Sequence, residues 1–153
     1  MLDKDLVRKK LSLLHKHLKE LGPLTRITLA EYKRDYAHRH AAEKVVELIV
    51  EYAIDINRVI VEAGRAEPPQ TSYDTFLEME RLGIIPPELT SHLASATGLR
   101  NRLVHHYDEI NNKAVYYSLK PLIRHYREYE RLIEAYLDRG ESAQTRKRPP
   151  RKK

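Results

Sequence analysis

Seven apolar positions toward the end of the chain, Val115, Leu119, Leu122, Tyr126, Tyr129, Ile133 and Tyr136, step by four and three in alternation. That period lines side chains along one stripe of an α-helix. Val7, Leu11, Leu14, Leu18 and Leu21 repeat it ahead of Gly22-Pro23, which ends a first helix. A third pattern, from Ile27 to Ala63, includes Tyr36, Ala42, Val45, Val46, Ile49, Tyr52, Ala53, Ile56, Val59 and Ile60. With no Gly or Pro before Gly64, it predicts one helix of about 35 residues, roughly 50 Å long. Ser72 then reads as the cap of a short helix carrying Phe76, Leu77 and Met79 to Gly83. Pro86 or Pro87 opens a helix with Leu89, Leu93, Ala96, Leu99 and Leu103, and Gly98 lies inside it. Asp108 to Lys113 reads as a polar turn before the last helix, which Pro121 should kink by removing an N–H and crowding the carbonyl of Tyr117. No two-residue alternation competes with these patterns. The fold class is all-α, an antiparallel up-and-down bundle of about five helices.

Charge separates the chain into two parts. Residues 139–153 hold seven Lys/Arg against one acid, Glu141, and this accounts for the whole net charge of +6. Residues 1–138 carry 21 basic and 21 acidic side chains and form the domain. The basic extension contains proline and lacks apolar periodicity, so it is expected to be a disordered, solvated tail, or one that makes salt-sensitive contact with RNA phosphate. The absence of cysteine excludes disulfides, thiolate nucleophiles and the commoner zinc sites. The charged start and the lack of any stretch of about 20 apolar residues point to a cytoplasmic protein without a membrane partner. Ten tyrosines against one Phe fit a partly wet helix interface.

Walker, dinucleotide-binding, zincin and EF-hand patterns are all missing, so neither a cofactor nor a metal is expected. His15 with His17, and His38 with His40, stand two apart and point about 200° from each other on a helix, which forbids chelation from one face. These four, and the solitary His92 and His125, read as solvated helix histidines.

Gly98 to Asp108 is different, because ionisable and hydrogen-bonding groups gather where an amphipathic helix is ending. Asn101 and His105 share a helix face, whereas Arg100 and His105 lie about 140° apart and converge only if the helix deforms or finishes there. Such a group can cleave RNA without a metal, since RNA carries its own 2′-hydroxyl nucleophile. His105 would be a base suited to neutral pH, and Arg100 a permanent cation for the phosphorane charge. Asn101 would orient phosphate or fix the imidazole tautomer, and the Tyr107 phenol would donate a hydrogen bond. The same residues also fit a polar network that merely closes the end of the bundle.

The segment RNRLVHHY, Arg100 to Tyr107, resembles the RX4HXY signature of the HEPN superfamily, and its surroundings resemble the HepT toxins. The likeness extends through Ala53 to Asn57 and Glu80 to Pro86, and covers about residues 1–138. It implies the toxin of a two-gene toxin–antitoxin module, an RNA-cleaving homodimer with two motif copies facing each other across a cleft. By that resemblance Arg100, Asn101 and His105 are catalytic. Tyr107 matches the position to which a cognate MntA-type nucleotidyltransferase antitoxin attaches AMP, adding bulk and negative charge to the cleft. His106, Arg102 and Asp55 are possible supports, with His106 a second candidate base. Asp55, Asn57 and Arg58 either line the cleft from the long helix or serve as interior polar punctuation. The competing reading is a non-catalytic helical partner of a nucleotidyltransferase that binds nucleotide or RNA through Arg100 and Arg102.

Overall fold

The computed structural model describes residues 1–64, 68–106, 108 and 110–147, the last seven as backbone. Helix α1 (Lys4–Leu21) leads through a 3-10 turn (Gly22–Thr25) to α2 (Leu29–Arg34) and α3 (Tyr36–Ala63). There follow α4 (Ser72–Arg81), α5 (Pro87–His105) and α6 (Asn112–Lys147). The described residues contain no strand.

The expected stripe of α1 is the observed one, since Val7, Leu11, Leu14, Leu18 and Leu21 are all buried. Two layers clasp this helix. On one side it lies against α3, with Lys10 paired to Asp55 at 3.3 Å and His17 stacked on Tyr52. On the other it runs antiparallel to α6, as the contacts Arg8 to Asp138 and His15 to Glu130 show. The buried stripe of α6 agrees as far as Ile133 and then continues to Leu137, while Tyr136 is only half-buried. A regular helix drifts against a strict four-three repeat, and the next buried position after Ile133 is four residues on.

The single long helix expected from Ile27 to Ala63 is instead two, α2 and α3, divided at Asp35. Local capping wins over periodicity here. Thr28 and Glu31 form a reciprocal capping box that starts α2, and the Asp35 carboxylate accepts from the N–H groups of Ala37 and His38 to start α3. This raises the number of α-helices to six among the described residues. The cap of α4 is Thr71 rather than Ser72, and Leu77 is exposed on the outer face. Pro87 occupies the first turn of α5. Gly83 takes a φ of 75° in the turn before it, which a glycine adopts without steric cost.

Helix α6 passes through Pro121 as one element and continues to Lys147. The segment expected to be a disordered tail from Arg139 is therefore helical backbone for nine of its residues. The reason is local: between Gly140 and Pro149 the sequence holds good helix formers and no breaker. Residues 148–153 lie outside the described residues.

Polar groups in the core are few, and Asn57, Thr75 and Tyr129 are tied together. Asn57 on α3 is completely buried, and its amide donates to Thr75 Oγ1 on α4 at 3.1 Å. Tyr129 on α6 donates to Asn57 Oδ1 at 2.6 Å, with the Ala53 carbonyl 3.1 Å away. One amide thus joins three helices and is interior punctuation, the second of the two roles open to it. Tyr126 likewise buries its ring and donates to the Leu93 carbonyl. Burial holds the Tyr126 and Tyr129 hydroxyls well above the usual phenol range, so both stay protonated donors.

Candidate active site

The motif sits at the C-terminal end of α5. Leu89, Leu93, Ala94, Ala96 and Leu103 anchor this helix in the core, while Asn101, Arg102, Val104 and His105 around Leu103 are exposed. Regular α-helix persists to His105, and His106 leaves it with φ −126° and ψ 47° while its N–H still donates to the Arg102 carbonyl at 2.9 Å. The helix therefore ends just after His105, not between Arg100 and His105. The two side chains keep the separation of about 140° that five helical steps impose.

Their environments differ accordingly. His105 and His106 are exposed, as are Asn101 and Arg102. Arg100 is half-buried, and its Nη1 makes one long contact, 3.5 Å, to Asn101 Oδ1. Arg100 Nε is buried and has no hydrogen-bond partner among the described residues. A guanidinium has five donors, so most of this one's capacity is unused among the described residues, and an unpaired buried N–H is costly enough to call for a partner such as an anion. Asn101 stands beside Arg100 and on the face of His105, where it can bridge the two. Tyr107 lies outside the described residues.

Two supports fall elsewhere. Asp55 on α3 is engaged by Lys10 of α1, so its carboxylate serves the α1–α3 seam. Arg102 turns back along α5, its Nη1 lying 3.8 Å from where a Cβ on Gly98 would stand. There it lines a groove between α5 and α6 with Leu99, Ser118 and Pro121. The same groove holds a pair that sequence spacing missed: His92 and His125, 33 residues apart, stack with ring centroids 4.1 Å apart and planes 12° apart. They are not solitary, although His92 is exposed and His125 half-buried. Their only advance signal was that each falls on the inner edge of its helix stripe. Burial, then His92, then Arg124 hold His125 below the usual imidazole range. Likewise His15 is bound to Glu130, whose carboxyl burial raises, and His38 contacts Asp35.

The family model for ribonuclease HepT-like proteins matches residues 14–136. This chain belongs to that family. It is 32% identical over 132 residues to a tRNA nuclease HepT of Aphanizomenon flos-aquae, covering 86% of this chain and 90% of that protein. It is 27% identical over 105 residues to an mRNA nuclease HepT of Shewanella oneidensis, covering 69% and 77%. The fold is shared with the Shewanella oneidensis HEPN toxin solved in tri-AMPylated form in complex with an MNT antitoxin, at a TM-score of 0.79 and 23% identity, with 86% of this chain and 98% of that one covered. It is shared as well with the cytosolic protein YutE of Bacillus subtilis, at 0.80 and 14%, covering 91% and 93%. Membership marks the chain as a HepT-like ribonuclease. No helix among the described residues is long and apolar enough to cross a membrane.

Proposed function

We propose that this chain is the toxin of a two-gene module, a metal-independent endoribonuclease that acts as a homodimer in the cytoplasm through Arg100, Asn101 and His105. The observation that carries the reading is the Arg100 guanidinium, half-buried with its Nε unpartnered among the described residues, one helical step from Asn101 and in the same short segment as an exposed histidine. In the cleavage step His105 takes the proton of the substrate 2′-hydroxyl, and that oxygen attacks the adjacent phosphorus. The P–O5′ bond breaks, and the departing 5′-oxygen gains a proton from solvent or from a second imidazole. The products are a 2′,3′-cyclic phosphate and a 5′-hydroxyl. Arg100 stabilises the charge that grows on the non-bridging oxygens, where a bidentate, permanently charged donor is most effective. Asn101 orients the phosphate.

Tyr107 is the modification site in this reading. A cognate MntA-type nucleotidyltransferase antitoxin transfers AMP to its phenol, and the added phosphate repels substrate phosphate from the cleft. The solved complex of an AMPylated HEPN toxin with its antitoxin supports the proposal by fold. Relatives named for tRNA and for mRNA cleavage support RNA as the substrate class.

The test is incubation of purified wild type, Arg100→Ala and His105→Ala with end-labelled RNA in EDTA. Cleavage by wild type alone, with 2′,3′-cyclic phosphate ends, is expected while both variants remain folded. Retained cleavage in both variants would overturn the assignment. No cleavage by unmodified wild type would favour the non-catalytic partner of a nucleotidyltransferase.

A further inference from the structure

Residues 1–138 are electrically balanced, yet their cations are not evenly spread. Lys120, Arg124, Arg127 and Arg131 follow one another along α6 at steps of four, three and four. At 100° per residue they fall within about 60° of one another, and at 1.5 Å per residue they span roughly 16 Å. All four are exposed. Arg26, just after the 3-10 turn, faces them across an open groove of about 560 Å³ between that turn and α6. Glu128 is the one acid in the lining, and it is taken up by Arg131. No ion pair engages Arg26, Lys120, Arg124 or Arg127 among the described residues.

We propose that this stripe is a phosphate-tracking surface that holds single-stranded RNA outside the cleavage site; the proposal rests on the reading of the chain as a ribonuclease. A polynucleotide carries one charge at every nucleotide, which suits a row of cations repeated along one line. Guanidinium forks match phosphate oxygens bidentately, and arginine predominates here. A protein partner would need an apolar anchor at the centre of its footprint, and the only large apolar side chain in this lining is Ile123, itself buried. Along the axis of α6 the stripe begins near the motif's end of the bundle: Lys120 is eight residues, about 12 Å, from the start of α6, on a different face from the one that packs against α5.

Each phosphate contact to a single strand adds about 0.7 to the salt slope, which at about 150 mM salt is roughly fourfold in affinity relative to 1 M. The triple variant K120Q/R124Q/R127Q should therefore bind about 50-fold more weakly at that salt, with a slope reduced by about 2. The probe is a labelled, 2′-O-methylated single-stranded RNA, which 2′-hydroxyl attack cannot cut, titrated with the full-length chain by anisotropy between about 50 and about 200 mM salt. The control K9Q/K16Q/K19Q makes the same charge change at exposed positions of α1 and should keep the wild-type slope. If the triple variant fails to fold, Arg124→Gln alone should still show the roughly fourfold loss. Wild-type affinity and slope in the triple variant would overturn the proposal, as would an equal loss in the control. Intact RNA binding with lost association with the nucleotidyltransferase antitoxin would also overturn it, assigning the stripe to a protein. Because the probe cannot be cleaved, absence of ribonuclease activity would remove the catalytic reading without touching this result.

Discussion

The Asn57 hub offers the most exacting test of how the bundle is held. Tyr129→Phe removes only a hydroxyl, and the ring keeps its packing against Phe76 and Tyr126. The Asn57 Oδ1 acceptor, completely buried, then loses the 2.6 Å bond from Tyr129. Leaving such an acceptor unpaired costs about 1 to 3 kcal/mol, which in a chain of this size is a fall of roughly 4 to 8 °C in Tm for the middle of that range. Asn57→Leu takes away both partners' counterpart at once. Tyr129 retains the Ala53 carbonyl and Thr75 retains the Ser72 carbonyl, so neither hydroxyl is orphaned. The double variant should consequently cost less than the sum of the singles by about 1 kcal/mol or more. Urea denaturation at fixed protomer concentration, with unchanged m, reads these differences. A Tyr129→Phe cost under about 0.5 kcal/mol, or additivity within that margin, would refute the account. RNA cleavage per folded molecule should stay at the wild-type level in Tyr129→Phe, since the hub lies in the interior.

Asp35→Ala should cost about 1 kcal/mol, read by thermal unfolding, because two N–H groups at the start of α3 lose their acceptor. Gly83→Ala should cost about 1 kcal/mol through its φ of 75° alone, since nothing stands within 4 Å of a Cβ there. His125 is held below its ordinary value in the folded chain by burial first, then by His92 and Arg124, so the unfolded chain takes up the proton more readily. Its stabilising contribution is present above about pH 6.5 and is lost as pH falls from there through the folded value. Thermal melts of His125→Gln should depend less on pH than those of wild type across that window.

The helical class was legible because every core stripe repeats at the helical period, and α1 was readable to the residue. The division at Asp35 was hidden by apolar spacing that carries on across it, although Thr28-Leu29-Ala30-Glu31 spells a capping box. The motif was readable because Arg100, Asn101 and His105 are close in sequence. The His92–His125 stack and the groove around Arg26 were not, because each depends on how α6 packs against a distant element. Asp55 shows the converse limit: a carboxylate in a recognisable segment goes to whichever cation the packing brings within reach, here Lys10.

The angular gap between Arg100 and His105 has its own consequence for the proposed homodimer. Regular helix through His105 holds the two roughly 140° apart on one chain, with Arg100 turned toward the bundle and His105 toward solvent. In a two-fold interface any contact of Arg100 on one protomer with His105 on the other occurs twice. If the working pair forms across that interface, mixing Arg100→Ala and His105→Ala chains restores one intact pair in each mixed dimer, from the arginine of one and the histidine of the other. Random assortment makes half the dimers mixed, with one of two sites working, so cleavage should return to about a quarter of wild type. A pair acting within one chain would leave every dimer inactive, since each chain lacks one member. Co-refolded mixtures assayed on end-labelled RNA decide between these outcomes, and an inactive mixture whose dimers are shown to have exchanged would place catalysis within the protomer.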